Sequence, residues 1–287
     1  MKLVALMLCR NESWIAGLST RVALMWCDHL VVMNHASTDG TSAILEQVSA
    51  ENPGRLTILP EPNPVWYEMA YRQRLLDAAR GAGATHCAIV DSDEVLTHNL
   101  LVPIRGIIEN LPAHHCLSIP MFAMWRSPYQ YRSDPANVFS QVCTAIAFAD
   151  HPSLSWYADK GYEFHHRHPY GADLETNLAD RKSGGIMHLQ FSDWNRITAK
   201  HALYKILEVT RWPGKRSIAE IEWQYSNTLK EKGLQTTIAP PEWWSGYAPL
   251  FKYLRLGEVP WQAAEARRLV AMHGQSKFRG LDLFGVA

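Results

Sequence analysis

Asp91, Asp93 and Glu94 crowd three acids into four residues directly after the apolar run Cys87-Ala88-Ile89-Val90. A run that is apolar at every position reads as a strand buried on both faces, as in a parallel sheet. Strands of such sheets deliver functional groups at their carboxyl ends, which is where Asp91 and Asp93 fall. Two carboxylates two positions apart can hold a hard divalent cation through oxygen and leave positions for substrate phosphates. The competing reading makes them helix-capping or solvated acids, so the other polar clusters have to decide.

Those clusters depend on the elements around them. Residues 2–8 read as an apolar strand that exits into Cys9-Arg10-Asn11-Glu12. The helix after it carries Trp14, Leu18, Val22 and Met25 on one face, with Asn11 or Ser13 as its cap. A second strand at 30–33 ends in Asn34-His35-Ala36-Ser37-Thr38-Asp39-Gly40-Thr41, a loop of turn and cap residues. The helix that follows includes Ile44, Leu45 and Val48. A third strand at 56–59 leads through Glu61-Pro62-Asn63-Pro64 to a helix at about 67–80. Arg72, in the first turns of that helix, is placed to reach a phosphate at the active edge. Strand and helix repeated with short connections predict an α/β fold, a mostly parallel sheet covered by helices on both faces. Every polar cluster then lies on one edge of it.

Farther along, the pattern predicts a helix at 102–110, a strand at 116–122 and a strand at 138–148 within an irregular stretch, 125–185. Gly184-Gly185-Ile186-Met187-His188-Leu189-Gln190-Phe191 reads as a short strand carrying a histidine. Helices are expected at 197–210, 218–232 and 261–273, with Pro240-Pro241-Glu242-Trp243-Trp244 as an aromatic loop. Trp243 and Trp244 there could form a stacking platform for a sugar or base. His165-His166-Arg167-His168 invites a metal reading, but adjacent side chains of an extended segment alternate faces, so it is taken as surface or acceptor loop.

The 287 residues, 47% hydrophobic and 20% charged, describe a globular protein with an ample core. No run approaches the roughly 18 apolar residues of a membrane span, and 2–8 is too short for a signal peptide. Five scattered cysteines without a Cys-x-x-Cys pair suit reduced core thiols and a cytoplasmic setting. The formal charge is zero, yet residues 1–180 hold 12 Lys and Arg against 19 Asp and Glu, and 181–287 hold 16 against 9. An acidic part that holds a cation and a basic part that meets an anion would give this pattern, as would mutual attraction alone.

Taken together, Arg10-Asn11-Glu12, Ser37-Thr38-Asp39-Gly40-Thr41, Asp91-Ser92-Asp93-Glu94 and His188 in its Gly-Gly-Ile-Met-His setting resemble family 2 glycosyltransferases of the GT-A fold and Asp-x-Asp type. The resemblance covers about the first two-thirds of the chain. It implies a GT-A nucleotide-sugar-binding catalytic domain at 1–192, with 193–287 as a helical extension packed on it. Arg10, Asn11 and Glu12 would line the nucleoside pocket, with Asp39 beside it. Asp93 would bind Mn2+ or Mg2+, Asp91 would serve the ribose or the metal shell with Ser92 on the donor side, and His188 would complete that shell. Imidazole favours Mn2+ of the two ions. Where the family usually has an Asp to read the base, this chain has Asn34, whose amide both donates and accepts. A UDP-sugar is favoured as donor, with the nucleotide left open by that change.

An inverting transferase needs a carboxylate to take the acceptor hydroxyl's proton. The resemblance puts it downstream of the Asp-x-Asp, among Asp159, Glu163, Asp173, Glu175 and Asp180. The Asp173/Glu175 pair, which precedes His188 in a Gly-flanked polar segment, is the expected source. For the acceptor, Lys200, Lys205, Arg211, Lys215 and Arg216 suggest an anion, a lipid-linked glycan or a hydroxymethylated nucleic acid base, or are simply solvated helix faces. Two other classes stand beside the transferase: a nucleotidyltransferase on a related sheet, and a non-catalytic nucleotide-sugar or glycan-binding protein.

Overall fold

In the computed structural model, which describes residues 1–157, 166–178 and 180–286, the first apolar run forms β1 (Leu3–Cys9), buried along its whole length. It is followed by α1 (Ala16–Trp26), β2 (His29–His35), α2 (Thr41–Glu51), β3 (Leu56–Glu61), α3 (Glu68–Gly81) and β4 (His86–Ile89). β1 lies between β2 and β4, β3 flanks β2, and all three pairings are parallel. Val4, Leu6 and Leu8 of β1, with Val31 and Met33, pack on Tyr71, Leu75, Leu76 and Ala79 of α3. The alternate residues Leu3, Ala5 and Met7 are equally buried, so both faces of the strand are covered. Each such aliphatic side chain contributes about 1.5–3 kcal/mol on burial. The expected α/β fold with a mostly parallel sheet flanked by helices is the one observed.

The second half of the sheet departs from simple repetition. β5 (Glu94–Leu96), α4 (Pro103–Glu109), β6 (His115–Ala123), β7 (Gln130–Arg132), β8 (Cys143–Ala149), β9 (Leu174–Asn177) and β10 (Ile186–His188) follow in the chain. Among the described residues a nine-stranded sheet has the order β3-β2-β1-β4-β8-β6-β10-β5, with β9 beside β6. β8 runs antiparallel to both β4 and β6, so β6 points the same way as the first four strands, and β9 is parallel to β6. The short strand β10 pairs antiparallel with β5, setting His188 opposite Glu94.

The chain groups into two units. The first comprises Met1–Met121, Val142–His188 and Pro240–Arg255, and the second Phe122–Gln141, Leu189–Ala239 and Leu256–Ala287. The expected boundary at 192/193 falls close to one of these crossings, while two further segments interleave. In the second unit α5 (Trp194–Arg211) packs on α6 (Ile218–Asn227) and α8 (Trp261–His273). Asp193 caps α5 through Arg196 N, and Ser217 with Glu220 forms a capping box at α6. β11 (Thr236–Ile238) pairs with β7 in the same unit. No helix among the described residues is long and apolar enough to cross a membrane.

Several local expectations change. Neither Asn11 nor Ser13 caps α1, which starts at Ala16 without a side-chain cap, because both are drawn to the neighbouring loop. Met25 is 48% exposed and lies off the buried face. The strand expected from 138 begins at Cys143; Asn137 first caps a 3-10 turn at Val138–Ser140. Residues expected as an aromatic loop form α7 (Pro241–Trp244), with Trp243 buried in the core and unable to offer a stacking face. Lys205, counted among acceptor-facing cations, is fully buried against Glu222, Ser226 and the Asp282 carbonyl. Arg216 pairs with Glu208, and Lys200 donates to Gln190. Four cysteines are buried and Cys143 is partly so, all with free thiols; burial pushes the Cys116 thiol up to about 11.

Candidate active site

The loops after β1 and β2 are locked to each other by backbone N–H groups donating to side-chain oxygens. Asn11 N donates to Ser37 Oγ (3.0 Å), Glu12 N to Thr41 Oγ1 (2.8 Å) and Ser13 N to Asp39 Oδ2 (3.1 Å). In return Thr38 N donates to Asn11 Oδ1 (2.6 Å), and within the second loop Thr41 N donates to Asp39 Oδ1 (2.9 Å). Asn11 and Ala36 both take left-handed backbone angles, φ 53° and 45°. Such strain persists only where the surroundings over-determine it. Burial would raise the Asp39 carboxyl, but the hydrogen bonds from Thr41 and Ser13 outweigh it and hold it below its ordinary range.

The remaining expected donor residues lie around the same loops. Arg10 donates to the Pro64 carbonyl (2.7 Å) and approaches His35 Nδ1 (3.4 Å). The Glu12 carboxylate accepts from Trp14 Nε1 (2.5 Å). Asn34 donates to Ser42 Oγ (2.7 Å), while its Oδ1 is closed off from solvent without a hydrogen-bond partner among the described residues.

After β4 the groups are charged rather than neutral. Ser92, Asp93 and Glu94 are buried, and Asp91 is partly exposed. Arg72 on α3 bonds Glu68 one turn earlier (2.9 Å) and reaches Asp91 Oδ1 (3.4 Å). Arg167 sits between two acids: Nη1 donates to Asp91 Oδ2 (2.7 Å) and Glu94 Oε1 (2.9 Å), Nη2 to Glu94 Oε2, and Nε to the Ala145 carbonyl (2.7 Å). Burial opposes its charge, but Glu94 and Asp91 overcome that and hold the guanidinium protonated. Among the described residues the carboxylates of Glu68, Asp91, Asp93 and Glu94 are thus gathered around the guanidiniums of Arg72 and Arg167.

Asp93 and His188 meet at this cluster, with Oδ1 and Nε2 3.4 Å apart and side-chain exposures of 9% and 13%. The β5–β10 register makes that approach, and the Gly184-Gly185 turn anchors it: Thr97 N donates to the Gly185 carbonyl (2.8 Å) and Gly185 N to Thr97 Oγ1 (3.2 Å). Gly184 has φ 100°, and a Cβ there would lie 2.4 Å from Thr97 Oγ1. Adjacent ligands of an octahedral Mg2+ or Mn2+ shell stand about 3 Å apart. Asp93 and His188 therefore fit two positions of such a shell. Asp91, expected as a further ligand, is turned to Arg167 and Arg72.

The two expected base residues are placed elsewhere. Glu175 lies on β9 opposite Cys116, which is level with Phe148 and through it with Cys87. That is four residues before Asp91, or roughly 13 Å along a strand. Asp173 is exposed beside His168, with Oδ1 3.7 Å from Nε2. Asp180 caps the 3-10 turn Arg181–Ser183. Asp159, Glu163 and His165 lie outside the described residues.

Sequence reading missed Arg167 as a partner of the acids. Its signal was alternation: if neighbours point opposite ways, His166 and His168 share a side and Arg167 takes the other. The structure has that arrangement. The His166 and His168 rings are 4.7 Å apart, and burial and His166 hold the His168 imidazole below its ordinary value.

No family model and no curated protein matches this chain. Among solved structures it is similar to residues 1–349 of TarS from S. aureus, at 13% identity and TM-score 0.43, covering 97% of this chain and 88% of that one. It is similar to the mannosyltransferase PcManGT from Pyrobaculum calidifontis in complex with GDP-Man and Mn2+, at 15% identity, TM-score 0.40, and 96% and 75% coverage. A third similarity, to glucosyl-3-phosphoglycerate synthase from Mycobacterium tuberculosis in complex with Mg2+ and UDP, has 18% identity, TM-score 0.30, and 42% and 43% coverage.

Proposed function

We propose that the chain is a GT-A-type, divalent-metal-dependent glycosyltransferase that moves a sugar from a nucleotide-diphosphate donor, a UDP-sugar first, to a hydroxyl acceptor with inversion. The observation that carries this reading is the 3.4 Å approach of Asp93 Oδ1 to His188 Nε2 beside the buried Glu94. Asp93 and His188 would hold Mn2+ or Mg2+, which stabilises negative charge on the departing diphosphate. Arg167 keeps Glu94 and Asp91 in place, and Asp91, the partly exposed acid of the group, would accept from a ribose hydroxyl with Ser92 beside it. Arg72, expected to reach a donor phosphate, is buried against Glu68 and Asp91 and would instead position Asp91 from behind. Arg10, Asn11, Glu12, Asn34 and Asp39 form the nucleoside side, Asn11 and Asp39 by fixing the two loops.

Incubation with UDP-, GDP-, ADP- and CDP-sugars tests the class through its products. Nucleoside diphosphate released only with a divalent ion supports the transferase; pyrophosphate indicates a nucleotidyltransferase, and tight binding without turnover a binding protein. Asp93→Asn should abolish metal-dependent release while leaving the fold intact, and full activity in that variant would sink the proposal. The acceptor's proton goes to a carboxylate as its oxygen attacks the anomeric carbon. Glu175→Gln and Asp173→Asn decide whether this pair supplies it. The base is the residue whose loss lowers kcat by about a hundredfold with donor affinity unchanged, and two unaffected rates take the step away from the segment. A steep fall of acceptor affinity with salt would identify a nucleic acid acceptor, and a flat response a neutral one.

A further inference from the structure

A second group of metal-ligating side chains stands apart from Asp93 and His188. His166, His168 and Asp173 each offer one ligand atom, and the three atoms lie within 4.8 Å of one another. We infer that His166, His168 and Asp173 form a binding site for a borderline divalent cation of the Zn2+ class, additional to the Asp93/His188 pair.

The donor set suits that class. Two imidazoles and one carboxylate are ligands for Zn2+, which binds three protein groups and keeps a fourth position for water. Ligands of a tetrahedral Zn2+ shell stand about 3.3 Å apart. The 3.7 Å between His168 Nε2 and Asp173 Oδ1 closes to that with a small side-chain rotation.

The outer shell is already built as a metal site needs it. His166 Nδ1 lies 2.6 Å from the His168 carbonyl, which can only accept, so Nδ1–H donates there and Nε2 is the nitrogen that would ligate. A ligand histidine held through its other nitrogen by a backbone carbonyl is the usual second-shell arrangement. Asp173 is oriented in the same way: its Oδ2 accepts from Gly171 N (3.3 Å), leaving Oδ1 toward His168. The intervening turn is braced by Ala172 N donating to the Pro169 carbonyl and by paired bonds between Ser155 and Tyr170. Trp156 Nε1 holds the His166 carbonyl (2.9 Å), and the Tyr170 ring lies 4.3 Å from the His166 ring. Both imidazoles are half-buried, so these two ligands are largely positioned before any ion arrives, and the exposed Asp173 closes onto them.

The test is metal stoichiometry on the full chain, free of any affinity tag, by equilibrium dialysis against Zn2+ with metal analysis. Co2+ substitution provides an optical signature of tetrahedral nitrogen and oxygen coordination. One tightly held equivalent should survive in the Asp93→Asn/His188→Gln protein and vanish in His166→Gln/His168→Gln. Asp173→Asn, a change at an exposed side chain that leaves the fold intact, should weaken Zn2+ binding about tenfold or more, whatever it does to kcat. The absence of a tight equivalent in the wild-type protein, or one unchanged by Asp173→Asn and by the double histidine variant, overturns the inference. Sugar transfer is not read in any arm, so failure of the transferase reading leaves this result intact.

Discussion

The loops after β1 and β2 and the cluster after β4 are both polar neighbourhoods of the first unit, but different forces hold them. In the first, backbone N–H groups of one loop donate to side-chain oxygens of the other, and Asn11 takes a left-handed conformation to do so. In the second, full charges meet at low exposure, with Arg167 spanning Asp91 and Glu94. Hydrogen bonds between neutral groups each contribute about 1 kcal/mol net, and those that the Asp39 carboxylate accepts about 1.5–3 kcal/mol, so losing one is a modest change. A buried charge deprived of its partner costs several times more. The hydrogen-bonded loops thus make a rigid frame, whereas the charged cluster is sensitive to any cation that enters or leaves.

The difference can be broken at its strongest point first. Arg167→Met strands the buried Glu94 and takes from Asp91 the closer of its two guanidinium partners, and unfolding in urea should show a loss of about 3–5 kcal/mol. A loss below about 1 kcal/mol would mean that water, not Arg167, satisfies them. On the other side, Asn11→Ala should cost about 2 kcal/mol, from the left-handed backbone and the orphaned Thr38 N–H together. Asn11→Gly, which tolerates that backbone, should recover part of it, and equal losses in both would remove the strain argument. The smallest effect belongs to Asp39. Its folded-state carboxyl is held below 3.8, so its contribution is present above that value and fades as pH falls through the lower folded one. Acid titration of stability from about pH 5 downward should be shallower in Asp39→Asn than in the wild type, and coincident curves would show Asp39 to be unconnected to the frame.

The same division explains what could be read from the residues alone. β1 to β4 announce themselves as apolar runs, and their loops follow in order, because parallel strand–helix repetition is local in sequence. The pairing of β5 with β10 joins positions 94–96 to 186–188, each strand three residues long, and nothing in three residues states a register. His188 was legible as a histidine on an apolar strand, the resemblance implied its place with Asp93, and the strand pairing is what brings the two together in the structure. Arg167 was passed over because charged residues in a polar stretch usually face solvent, and its partners come from elsewhere in the chain. Trp243 and Lys205 misled for the same reason, one as an exposed ring and the other as an exposed cation, when both are buried.

His166-Arg167-His168 has one more consequence. Consecutive side chains leave the backbone on opposite sides, so the guanidinium goes to Asp91 and Glu94 while both imidazoles turn to Asp173. Substitution at any of the three disturbs one assignment and spares the other. The segment thus serves two neighbourhoods at once, and a graft of it onto another scaffold has to bring both sets of partners along with the residues.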